Sequence, residues 1–151
     1  MNESRKKIYL ASALFNPVER SFNLGIADRL RGLADVFLPQ RDGKLLTRLI
    51  DEGRSVREAR AMVYHEDVQA LERCDGVVAV LDGRTVDEGV AFELGYARAL
   101  GKLCIGLKTD DRCMLPTGDN PMIVMGCHRI CSSMDELVDA LAATLPRTRV
   151  A

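Results

Sequence analysis

Short apolar runs alternate with segments of helical spacing along almost the whole chain. "KIYLASALF" (7–15) reads as a buried strand. It is followed by "NPVERSFNLGIADRLRG" (16–32), where Asn16 is a candidate N-cap and Pro17 falls at the first helical position. Val18, Phe22, Ile26, Leu30 and Leu33 then recur at helical spacing. "ADVFLP" (34–39) is a short strand stopped by Pro39, and 40–53 is ambiguous, with polar turn residues and room for one short helix. "SVREARAMVYHEDVQALERC" (55–74) is a long helical pattern whose Ser55 and Glu58 make a capping box.

The second half repeats the theme. "DGVVAVLD" (75–82) is the clearest buried strand, "GRTVDEG" is a loop, and 88–101 has helical spacing. "KLCIGLKTD" (102–110) is a further strand. Pro, Gly and Asn punctuate 111–127, leaving room for one short helix. "HRICSS" (128–133) is a last short strand, and 133–145 a last helix, capped through Ser133 and Glu136. Strands joined by helices pair in parallel, because each crossover needs a dozen residues or more. Five such strands with helices on both faces predict a doubly wound α/β sheet, flavodoxin-like, in the order 2-1-3-4-5. In sheets of this kind ligands bind beyond the carboxyl ends of the strands, where the strand order reverses. That places the loops after the first strand (12–17) and the third (82–89) at the expected site.

Composition narrows the classes of function. The 151 residues suit a single domain spanning 1–151. Net charge is −1, so no nucleic-acid or anionic-membrane footprint is present. Five cysteines form no C-x-x-C pair, and His65 and His128 lack metal-ligand spacing, so no metal is expected. Cys74 and Cys104 read as buried thiols, which suits a reducing, cytoplasmic setting. No signal-peptide pattern and no membrane-spanning apolar run is expected. The loop after the first strand lacks the acidic pair of a receiver domain and the Gly- and hydroxyl-rich phosphate loop of a flavodoxin. No G-x-G-x-x-G or G-x-x-x-x-G-K-[ST] occurs.

The unusual residues are acids. Between Gly89 and Ala97 the helical segment "VDEGVAFELGYARALG" (86–101) carries one charged side chain, Glu93. Both faces of that helix are apolar, so Glu93 is at least partly desolvated whichever side packs on the sheet. A buried, unpaired carboxylate costs several kcal/mol or takes up a proton, and is kept either for a structural pairing or for chemistry. Asp82, Asp87 and Glu88 crowd the loop feeding this helix, and Asp67 lies on the preceding one. Taken locally, Asp87 serves equally as an N-cap, and Asp67 as part of a solvated helix face. Carboxylates converging on a crevice without metal spacing suggest glycosyl chemistry, with one attacking a sugar carbon and another handling the leaving group's proton.

"IYLASALF", the "ED" pair ahead of "CD", "VVAVLDGRTVDEGVAFELGYARALGK" and "DNPMI" together resemble the nucleoside 2-deoxyribosyltransferase family, over roughly residues 7–125. The resemblance implies a flavodoxin-like fold and transfer of 2-deoxyribose between bases of deoxynucleosides, without a cofactor. It implies that Glu93 is the nucleophile, that Asp87 and Asp67 contact the base and move protons, and that Tyr9 orients Glu93. Phe15 would line the base pocket, and Asp82 and Gly89 would shape the substrate loop. Asn120 would reach the sugar 5'-hydroxyl in a neighbouring subunit, so a homo-oligomer is expected, with a deoxynucleoside and a free nucleobase as partners. On local grounds alone Tyr9 and Phe15 also suit core packing, and Asn120 suits a turn. Two rival functions stand beside this one. The first is an N-glycosidase of nucleosides or their 5'-monophosphates, which would use serine and basic groups at the sugar's 5' end. The second is a non-catalytic nucleoside-binding module.

Overall fold

The computed structural model describes residues 5–145. A five-stranded, all-parallel sheet has the order β2-β1-β3-β4-β5, built from β1 (Lys7–Ala11), β2 (Asp35–Phe37), β3 (Gly76–Val80), β4 (Leu103–Leu107) and β5 (Arg129–Cys131). The helices between them are α1 (Pro17–Leu30), α2 (Pro39–Asp42), α3 (Leu46–Asp51), α4 (Val56–Arg73), α5 (Glu88–Ala99), α6 (Pro121–Gly126) and α7 (Met134–Thr144). The expected doubly wound sheet and its strand order are therefore present, and order reverses between β1 and β3.

Alternation along each strand sorts side chains to two cores. Ile8 and Leu10 of β1, Val78 of β3 and Ile105 of β4 face Ile26 and Leu30 of α1 and Leu137 and Leu141 of α7. Tyr9 and Ala11, Val77 and Ala79, and Cys104 face the other way, against Leu71 of α4 and Val90, Leu94 and Ala97 of α5. Each of the larger aliphatic side chains contributes about 1.5–3 kcal/mol on full burial. The second core matters for function, because it places Tyr9 beneath α5. Cys74, Cys104 and Cys131 are buried free thiols.

Local signals start the helices. Asn16 and Glu19 form a reciprocal capping box at α1, as do Ser55 and Glu58 at α4. Several elements differ from expectation; β4, for example, ends at Leu107 rather than 110. The first strand ends at Ala11, and Ser12 to Asn16 form an open loop. Pro39 does not merely stop the second strand: it occupies the first position of α2, where its missing N–H costs nothing. The ambiguous stretch holds two short helices, α2 and α3, rather than one. Among the described residues, no helix is long and apolar enough to cross a membrane.

Candidate active site

β1, α4 and the start of α5 bring four of the expected residues together, Tyr9, Asp67, Asp87 and Glu93. Glu93 lies in the second turn of α5, between the buried positions Val90 and Ala97, so it leans toward the sheet. There the Tyr9 hydroxyl, fully buried on β1, donates a 2.5 Å hydrogen bond to Glu93 Oε1. The Tyr9 ring stacks on Phe37 of β2 at 5.4 Å between centroids, which fixes where that hydroxyl sits.

Burial pushes the Glu93 carboxyl up to about 8; the Tyr9 hydroxyl pulls it down, and the nearby Asp67 and Asp87 push it further up. The helix dipole gives little relief, because Glu93 lies beyond the first turn, where the effect has faded. Tyr9 itself is raised, by burial first and then by the Glu93 and Asp67 charges, so its proton stays on the oxygen. Asp67, on α4, is raised to about 6 by burial and by Glu66. Its Oδ1 is buried and has no hydrogen-bond partner among the described residues. Apart from Tyr9, what faces Glu93 is carboxylate rather than cation. A purely structural acid would have a basic partner or a full set of donors.

Asp87 is the N-cap of α5: its Oδ2 accepts from Gly89 N at 2.9 Å and Val90 N at 3.1 Å. A Cβ at position 89 would sit 3.0 Å from that oxygen, so the glycine allows the cap to close. Capping occupies one carboxylate oxygen and leaves the other free, so the structural and chemical readings of Asp87 are compatible.

The remaining expected residues lie elsewhere. Asp82 ties two loops together, its Oδ2 accepting from the Thr109 hydroxyl at 2.6 Å. Phe15 is on the loop after β1 and 74% exposed in the single chain, so it is no part of the core. Asn120 caps α6, its side-chain oxygen accepting from Met122 N at 2.9 Å, and its side-chain amide is left to donate. It lines a cavity of about 820 Å³ beside α5, together with Arg84, Leu94, Met114, Met122 and Ile123; Glu93 is not among the lining residues.

Two features of the site were not visible in the sequence. A Cβ on Gly43 would meet Asp67 Oδ1 at 3.4 Å, so the turn between α2 and α3 covers this acid. Lys44 pairs with Glu66 beside it. Asn23 of α1, 1% exposed, donates to the Ala13 carbonyl and to Gln40 Oε1, each at 2.9 Å, while Gln40 donates to the Arg20 carbonyl. This clamp holds the loop that carries Ser12 to Phe15. The "FN" and "PQ" pairs were the available signals, but each polar side chain resembles an ordinary surface residue until the fold joins them. Among the described residues no group of three or more His, Cys, Asp or Glu is arranged to hold a metal ion.

The nucleoside 2-deoxyribosyltransferase family model matches residues 8–141, and the chain belongs to that family. Among solved structures, a 2-deoxyribosyltransferase from Bacillus psychrosaccharolyticus is 26% identical, with 93% of this chain and 96% of that one covered and a TM-score of 0.75. A conserved protein from Enterococcus faecalis V583 is 25% identical, with 94% and 100% covered and a TM-score of 0.73. A CMP N-glycosidase from Clostridium botulinum, 19% identical over 90% of this chain and 98% of that one, has a TM-score of 0.54 and shares the fold alone. Among proteins of curated function, none matches significantly.

Proposed function

We propose that this protein transfers 2-deoxyribose between nucleobases through a covalent ester on Glu93. The observation that carries the reading is the half-buried Glu93, held by the Tyr9 hydroxyl at 2.5 Å and faced by acids rather than by a cation. Membership of the family supports the same chemistry.

In the first half-reaction an ionised Glu93 oxygen attacks C1'. The C1'–N bond breaks, its electron pair goes to the base, and the base takes a proton from Asp67 or Asp87, directly or through water. Asp67, which burial raises to about 6, keeps its proton closer to neutral pH than an ordinary carboxyl does, as a proton donor to the base requires. In the second, a nitrogen of the incoming base attacks C1' from the face just vacated. The ester C1'–O bond breaks, the carboxylate is restored, and the base returns its proton to the acid. Two inversions retain the configuration. The Tyr9 hydroxyl holds Glu93 in position and stabilises its anion both before attack and on departure.

The cavity that Asn120 lines is not lined by Glu93 of its own chain, and Met122 and Met125 beside Asn120 are 82% and 75% exposed. That arrangement suits donation of the Asn120 amide to the sugar hydroxyl of a neighbouring subunit in a homo-oligomer. An amide suits a neutral hydroxyl better than a phosphate dianion. Arg20, a basic residue beside the loop after β1, is engaged by that loop, donating to the Leu14 carbonyl at 3.1 Å. A deoxynucleoside is therefore favoured over its monophosphate.

Chromatography of the protein with deoxyinosine, with and without adenine, tests the proposal. Deoxyadenosine appearing only with adenine is the expected result. Free deoxyribose alone would indicate a hydrolase, and binding without any release of base a non-catalytic module.

A further inference from the structure

Lys108 stands at the carboxyl end of β4 with its side chain only 14% exposed. Its Nζ donates to the carbonyls of Leu81 at 3.2 Å and Gly83 at 3.1 Å, both on the loop leaving β3. It also lies 3.4 Å from Asp110 Oδ1 and 3.4 Å from Asp119 Oδ1. Asp110 in turn accepts from Gly83 N at 3.0 Å. One ammonium group thus joins three segments: the β3–α5 loop, the end of β4, and the loop entering α6. The last contact is to the residue immediately before Asn120.

Three donors on one ammonium meet four oxygens here, two of them charged. Asp110 has a second cation, since Arg112 Nε donates to its Oδ2 at 2.8 Å. Among the described residues Asp119 pairs with Lys108 alone, so without the lysine that carboxylate and two backbone carbonyls would lose their partner. The Asp119 side chain is itself 17% exposed, so little water is at hand to replace the lysine. The backbone of the 111–119 segment is paired internally at one isolated bridge, between Leu115 and Gly118, and the segment is tied back through the Arg112 contact to Asp110.

We infer that Lys108 is a positioning residue for the reaction: through Asp119 it fixes the loop that presents Asn120 to the sugar. The inference rests on the role proposed above for Asn120. Lys108 touches no reacting atom, and its contribution is realised through the amide it places.

A double-mutant cycle tests it with deoxyinosine as donor and adenine as acceptor. Lys108→Met is expected to lower kcat/KM for deoxyinosine about tenfold, mostly through KM, with Lys108→Arg recovering much of the loss. In the Asn120→Ala background the same Lys108→Met change is expected to add less than about twofold, because partners acting through one another are not additive. Asp119→Asn, which leaves the carbonyl contacts of Lys108 intact, is expected to show the same pattern more weakly and provides the test if Lys108→Met does not fold. Equal losses with and without Asn120, or unchanged kinetics in folded Lys108→Met, would overturn the inference while leaving the transferase reading standing. No base exchange by the parent protein, or an Asn120→Ala variant as active as the parent, would remove both.

Discussion

In the proposed reaction Glu93 must be ionised, yet burial holds its carboxyl near 8 and the neighbouring acids oppose its charge. Tyr9 is the group that works against this, since its hydrogen bond favours the anion. Tyr9→Phe should therefore lower kcat by roughly 10–100-fold and move the ascending limb of the pH–rate profile to higher pH. An unchanged profile would show that the hydroxyl is only a packing feature. Glu93→Ala should abolish exchange while circular dichroism shows the fold intact; full turnover in that variant would remove the assignment. The lone acid at 93 was legible in the sequence because an apolar helix has no structural use for it. Asp67 was named as a candidate, but its burial was not legible, because its surroundings come from the α2–α3 turn, far away along the chain, in the stretch whose pattern was least decided.

The start of α5 combines two tasks in Asp87, capping the helix and standing near Glu93. They can be separated. Asp87→Asn keeps a side-chain oxygen for the cap and should cost less than about 0.5 kcal/mol of stability, while Asp87→Ala should cost about 1 kcal/mol. If Asp87 moves the proton, both variants lose activity alike despite their different stabilities, a comparison made by denaturant unfolding alongside the exchange assay. On the opposite side of the site the Asn23–Gln40 clamp is an all-or-none device. Asn23→Ala leaves the Ala13 carbonyl and Gln40 without their donor and should destabilise by about 1–3 kcal/mol. At this scale the caps at Asn16, Ser55 and Ser133 could be read directly, because capping is a local matter of one side chain and the next turn. The clamp could not, since it joins α1 to α2 across β2.

For the molecule as a whole, strand order followed from the alternation of periods, because parallel pairing and short crossovers leave few arrangements. What alternation does not encode is whether, and through which surface, another copy docks. Asn120 became a site candidate through family resemblance rather than through any pattern of its own. The buried acids also set a property of the entire fold. Glu93 and Asp67 bind protons more tightly folded than unfolded, with folded values of about 8 and about 6 against ordinary carboxyl values of 4.5 and 3.8. Between about pH 4 and 8 the native state holds more protons than the unfolded one, so these groups make stability fall as pH rises through that window. Glu93→Gln should flatten the decline and raise the melting temperature at pH 8 to 9, measured by thermal unfolding across pH.

The central claim is a bond between Glu93 and the sugar. Rapid acid quench of the protein with a deoxynucleoside, followed by peptide mapping, measures it directly. A deoxyribosyl group on the peptide containing Glu93, localised to that side chain and absent from Glu93→Ala, is the expected result. Base exchange at full rate with no adduct on Glu93, or with the adduct on another residue, would contradict it.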